Sequence, residues 1–283
     1  MATLKNIRKV FVWFITKGRT RQEFLGAHWI DLLLKLTPPQ KKQKTALKVL
    51  SLSPHYFFRN KYPLSLPTSK FLELEHQRNA LTRKNICDKI LAPQYLNESF
   101  TVLDYGCGAG YLAKEVSGHV RKGFACDISR GVISCAKILN PAKNIKYFVI
   151  GQGTVIPIEK SSLDLIYSFA VIQHVTDTVF ESILKLWFAW LRPGGIAVVH
   201  LVLNADDWHT EAEWHQDRSI SGRIKFEFGL NCFKRSPRVV SQMVSQAGFN
   251  SPKIIPVNEL GNTSGECQDD VFRQHLCVFT KPQ

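Results

Sequence analysis

In Val102-Leu103-Asp104-Tyr105-Gly106-Cys107-Gly108-Ala109-Gly110 an apolar pair and an acid run into three alternating glycines. Thr101 and the two apolar residues after it read as a short buried strand, which then breaks into glycine. A strand, a glycine-rich turn and a helix in succession form the sequence signature of a nucleotide-binding βαβ unit. Glycine lets the backbone turn tightly and approach a ligand with no Cβ in the way. The helix expected next, over about residues 111–120, aims its N-terminal amides at that ligand.

The spacing separates two kinds of ligand. A dinucleotide site carries G-x-G-x-x-G, which serves a pyrophosphate. Here the pattern is D-x-G-x-G-x-G, with Asp104 two residues ahead of the first glycine. A carboxylate there suits an ammonium group better than a phosphate. A ligand-free strand-to-helix turn would need no acid at that position. The nonamer resembles motif I of the class I S-adenosylmethionine (SAM)-dependent methyltransferases, whose cofactor has an amino-acid tail and no phosphate. The resemblance implies cofactor contacts from Asp104, Tyr105, Gly106, Cys107, Gly108 and Gly110.

Downstream the chain alternates strand and helix, which implies a parallel sheet with right-handed crossovers. A second strand, Gly123 to Cys126, ends in Asp127-Ile128-Ser129. Asp127 lies close to the offset of about 20 residues at which an acid binds ribose hydroxyls, and a carboxylate can accept from two hydroxyls at once. The alternative is that Asp127 only caps the next helix, a task Ser129 can perform. A third strand runs to Ile150, before Gly151-Gln152-Gly153. Related proteins often have Gly-Asp-Ala there, with the acid on the adenine amino group. Gln152 departs from that pattern, although its amide oxygen accepts the same bond. Phe169 and Ala170 close a fourth strand at the end where ligands bind in open α/β sheets. Helix, Pro193-Gly194-Gly195 and an apolar strand then follow in the family's order.

These landmarks imply a Rossmann-like α/β fold. The resemblance implies a seven-stranded sheet, mostly parallel with an antiparallel last strand, and helices on both faces. An N-terminal helical extension precedes it, and the division expected is a basic extension or cap over 1–70 and a SAM-dependent domain over 71–283. The resemblance covers about three quarters of the chain. Ile128, Gln152, Gly153, Phe169 and Ala170 join Asp127 as implied cofactor residues.

The charge is unevenly placed. Of the net +14, most resides in residues 1–62, which hold 13 Lys/Arg against Glu23 and Asp31 alone. The catalytic region is therefore near neutral, which argues against a nucleic-acid surface there. The apolar run Val10 to Ile15 is far shorter than the ~20 residues that span a bilayer. A second amphipathic segment, Phe24 to Leu36, groups Trp29, Leu32, Leu33 and Leu36, before the break at Pro38-Pro39 and the run Lys41-Lys42-Gln43-Lys44. Two readings of these segments stand: a cap over the substrate, or a peripheral contact with an anionic membrane. The seven cysteines include no C-x-x-C pair, so the sequence reads as a reduced cytosolic chain without a metal site.

Methyl transfer from a sulfonium needs alignment and exclusion of water more than covalent chemistry. A hydroxyl or phenol acceptor would also need a general base. His174, at the mouth of the fourth strand, and His209 and His215, in the polar stretch over 204–235, are the candidates. Each also reads as an ordinary structural histidine. The leading expectation is a methyltransferase acting on a small-molecule acceptor. The alternatives are an RNA or protein methyltransferase docking through the basic extension, and a SAM-binding module without catalysis.

Overall fold

The computed structural model describes residues 28–51, 66–151, 154–205, 208–222, 231–257 and 274–283. Gln152 and Gly153 fall outside them, as does the apolar run at 10–15. Seven strands form one sheet in the order β3-β2-β1-β4-β5-β7-β6. They are β1 Thr101–Tyr105, β2 Lys122–Asp127, β3 Ile145–Val149, β4 Leu163–Ser168, β5 Leu191–Val202, β6 Lys253–Pro256 and β7 Gln274–Thr280. The first five run parallel, and β7 is antiparallel to both β5 and β6. β5 starts sooner than expected because Leu191 pairs with Leu163 before the register slips at the Pro-Gly-Gly turn, where Gly194 has φ +72°. Order reverses at β1 and β4, which places a binding crevice at their carboxyl ends.

The helices are α1 His28–Leu36, α2 Pro39–Ser51, α3 Thr68–Ile86, α4 Tyr111–Val116, α5 Arg130–Leu139, α6 Asp177–Trp190, α7 Glu211–Gln216 and α8 Pro237–Gln246. α5 and α6 open on Ser129 and Thr176, whose hydroxyls accept from the backbone N–H three residues on, as side-chain caps do. One sheet face, with Leu103, Tyr105 and Ile166, is covered by α6 and α8. The other, with Val102, Tyr167 and Val198, lies under the π-turn Cys87–Leu91 and α4.

Several local expectations differ from the structure. The lysine-rich stretch after Pro38-Pro39 is a helix, α2, because Ala46, Val49 and Leu50 form an apolar stripe that packs near α5. In α1 the buried residues are Ile30 and Leu34, whereas Leu32, Leu33 and Leu36 are exposed. Ile30 and Leu34 pack with Val132, Cys135 and Leu139 of α5, and Asp31 accepts from Ser134 of the same helix and lies 3.8 Å from Arg130. The helix after the glycine turn is shorter than expected and ends in a 3-10 turn, Ser117–His119. The stretch 204–235 contains α7, closed by a capping box between Thr210 and Glu213.

A candidate cofactor and acceptor site

The site is built from the carboxyl ends of β1, β2 and β4. Gly106, Gly108 and Gly110 all take left-handed φ, +79°, +53° and +80°, a region that side chains disfavour. Their surroundings differ. A Cβ on Gly106 would lie 2.4 Å from Val171, and one on Gly110 would lie 2.7 Å from the Tyr147 hydroxyl. A Cβ on Gly108 would meet nothing within 4 Å. The outer glycines therefore lock the loop to its neighbours, and the middle one opens the backbone outward. Asn140 fixes the loop further by donating to the Ala109 carbonyl at 2.8 Å.

Asp104 shares the sheet face of Val102 by strand alternation and is 2% exposed. Burial pushes its carboxyl pKa up to about 8; the Arg83 guanidinium works against that, and the Asp127 charge adds to it. Its Oδ2 is buried without a hydrogen-bond partner among the described residues. Such an atom is costly unless a ligand donates to it. A half-buried Asp127 sits at the end of β2. Its Oδ2 accepts from the Gly108 N–H at 3.1 Å and its Oδ1 from the Ser129 N–H at 2.9 Å. Ser129 does cap α5, yet Asp127 is more than a cap, because it also ties β2 to the glycine loop.

Tyr105 and Phe169 are buried, Cys107 half-buried and Ile128 52% exposed at the rim. Tyr105 packs edge-on against Trp187 at 5.3 Å, on the sheet face opposite to Asp104. Ala170 takes φ +59° at the end of β4. A non-glycine residue in that conformation carries strain and commonly marks a working site.

A strap over residues 231–235 lies against the segment that follows β4. His174, in the turn Ile172–His174, places Nδ1 3.0 Å from the Asn231 carbonyl and 3.6 Å from the Cys232 sulfur. Its Nε2 lies 3.4 Å from the Gln173 amide nitrogen. The Phe233 N–H donates to the Gln173 carbonyl, and the Trp214 indole donates to the Cys232 carbonyl. Arg235 holds the strap in place: it is 3% exposed, donates to Asp177 at 2.7 Å and to the carbonyls of Ile172 and Val175. His209 and His215 sit differently. His209 packs against Trp214 and its backbone carbonyl accepts from the Lys234 N–H, while His215 is exposed and lies 3.9 Å from Glu211.

Residue-by-residue reading did not select Gln173, Asn231, Cys232, Arg235 or His200. His200 stacks on Phe169 at 5.9 Å, and burial holds its pKa down to about 4. Their roles come from long-range packing that leaves no spacing signal. A groove of about 760 Å³ lined by Thr101, Lys122 and Lys146 opens at the amino ends of the strands. It shares no residue with the glycine loop.

The sequence profile of the methyltransferase-domain family matches residues 74–251, well over half the chain. The chain belongs to the class I SAM-dependent methyltransferases. Among relatives of this chain, a Mycolicibacterium smegmatis protein described as a probable SAM-dependent methyltransferase is 29% identical over 98 residues, 35% of this chain and 36% of that one. Phosphoethanolamine N-methyltransferase 1 of Arabidopsis thaliana is 31% identical over 104 residues, 35% of this chain and 20% of that one. The matches thus span about a third or less of those relatives. A chain in the complex of the Haloferax volcanii Trm112 methyltransferase activator with a methyltransferase shares the fold, with TM-score 0.52 and 18% identity over 76% of this chain and 93% of that one.

The residues present fit the cofactor of the family. An unpartnered buried carboxylate oxygen suits the SAM ammonium, Asp127 the ribose hydroxyls, and the open side of Gly108 the body of the ligand. When bound, SAM supplies an activated methyl group on a sulfonium sulfur.

Proposed function

We propose that this methyltransferase moves the SAM methyl group to a small-molecule acceptor, with Asp104 and Asp127 holding the cofactor and His174 receiving the acceptor proton. The observation that carries the reading is the environment of His174. Its Nδ1 faces a backbone carbonyl, which can only accept, so the proton resides on Nδ1 and Nε2 is the accepting nitrogen of the ring. The Gln173 amide donates to it over a long 3.4 Å contact, which an acceptor hydroxyl or amine can displace. As the acceptor–carbon bond forms and the sulfur–carbon bond breaks, the acceptor proton passes to Nε2. A positioned base of this kind is worth about 10²–10⁴-fold, and alignment up to roughly 7–11 kcal/mol.

The closely tied strap supports a small acceptor over a macromolecule. So does the similarity to an Arabidopsis protein named for phosphoethanolamine methylation. His209 and His215 enter this reading as part of the cover over the site. The test is methyl transfer from labelled SAM into fractionated cell extract. Label in the small-molecule fraction is expected, reduced by at least ten-fold in His174→Ala. Label only in RNA or protein would contradict the acceptor class, and full activity in His174→Ala would remove the base.

A further inference from the structure

We propose that α1 and α2 form a docking face for an anionic phospholipid surface. This goes beyond the methyltransferase reading and holds whichever acceptor is used. Leu32, Leu33 and Leu36 are 57%, 40% and 74% exposed on one side of α1, opposite the buried Ile30 and Leu34. Three outward leucines on a nine-residue helix are an unusual apolar knuckle.

The same two helices carry exposed cations. Lys35, Lys41, Lys44 and Lys48 are exposed, and the last three repeat along one face of α2, away from Ala46, Val49 and Leu50. None of these lysines forms an ion pair among the described residues. The sequence has no acidic residue between Asp31 and Glu73. Apolar side chains beside unpaired cations complement a surface with anionic headgroups over an acyl layer. A nucleic acid would use the lysines but leave the leucines in water. No helix among the described residues is long and apolar enough to cross a membrane, so the contact is peripheral.

The face is near the proposed site. Asp31 bonds to Ser134 and approaches Arg130, in the first turns of the helix that follows Asp127. Docking through α1 would bring the carboxyl edge of the sheet close to the lipid surface.

The test is sedimentation of the full chain with vesicles of phosphatidylcholine, alone or mixed with phosphatidylglycerol, at low and high salt. Binding to the mixed vesicles only is expected, weakening as salt rises. Leu32→Ser/Leu33→Ser/Leu36→Ser should lower the partition coefficient about ten-fold or more. Lys41→Gln/Lys44→Gln/Lys48→Gln should lower it by roughly five-fold per lysine. Both variants change exposed residues, and unchanged thermal melting and S-adenosylhomocysteine binding verify their fold. Absence of wild-type binding to the mixed vesicles at low salt overturns the proposal. So does equal binding by the leucine variant, which would assign the affinity to residues 1–27. Concentration-dependent dimerisation lost in the leucine variant, without vesicle binding, would instead make the face a contact between copies of the chain.

Discussion

Single residues carry the sharpest expectations. Gly106 and Gly108 share a left-handed backbone, but only Gly106 has a side chain in the space a Cβ would occupy. Gly108→Ala should therefore cost only the left-handed strain, about 1–2 kcal/mol, while weakening SAM binding at least ten-fold. Gly106→Ala should destabilise more, because Val171 must also move. Urea unfolding and calorimetry on the two variants separate the effects. Asp104 gives a pH signature. Its carboxyl titrates near 8 when folded and near 3.9 unfolded, so the folded chain binds the extra proton between those values. Stability from this group is full below about pH 4 and is lost as pH rises toward 8 and beyond. Asp104→Asn should flatten that decline in melting curves. An ammonium partner favours the charged carboxylate, so SAM binding at pH 7 should release up to one proton, read by calorimetry in buffers of different ionisation enthalpy.

At the scale of elements, the glycine loop, β1, β2 and α5 were legible because local residues dictate them: an apolar strand, glycines at positive φ, a serine cap. α2 was hidden by its prolines and lysines, since only its contact with α5 reveals which side is apolar. The strap was hidden more deeply. Its bonds run from 231–235 back to 172–177, a separation that no periodicity encodes. Arg235 shows the cost of such a design. Arg235→Met would leave the buried Ile172 carbonyl with only the 3.3 Å bond from the Val175 N–H, and would remove the guanidinium from the Val175 carbonyl and from Asp177. A loss of about 2–4 kcal/mol is expected, with Arg235→Lys intermediate because it keeps the charge without the fork. Denaturant unfolding measures both.

For the whole molecule, the division expected at residue 70 meets a structural fact: Ile30, Leu34, Val49 and Leu50 are buried in one cluster with Val132, Cys135 and Leu139 of α5. At roughly 1.5–3 kcal/mol for each fully buried aliphatic side chain, removing residues 1–51 should cost several kcal/mol. A large fall in melting temperature is predicted, and an unchanged one would show that the rest of the fold stands without α1 and α2. The overall topology was read correctly because strand–helix alternation and the antiparallel last strand follow from pattern and family resemblance. The orientation of α1 was not, since it depends on long-range packing of Ile30 and Leu34 against α5, with Asp31 bonded to Ser134 beside them. The proposed site places SAM at the carboxyl edge of β1, β2 and β4, held by Asp104 and Asp127. Isothermal titration of S-adenosylhomocysteine into the wild type and Asp127→Ala tests this. Saturable one-to-one binding is expected, weakened by about 1–3 kcal/mol in the variant. No binding to the wild type, or equal affinity in the two proteins, would contradict it.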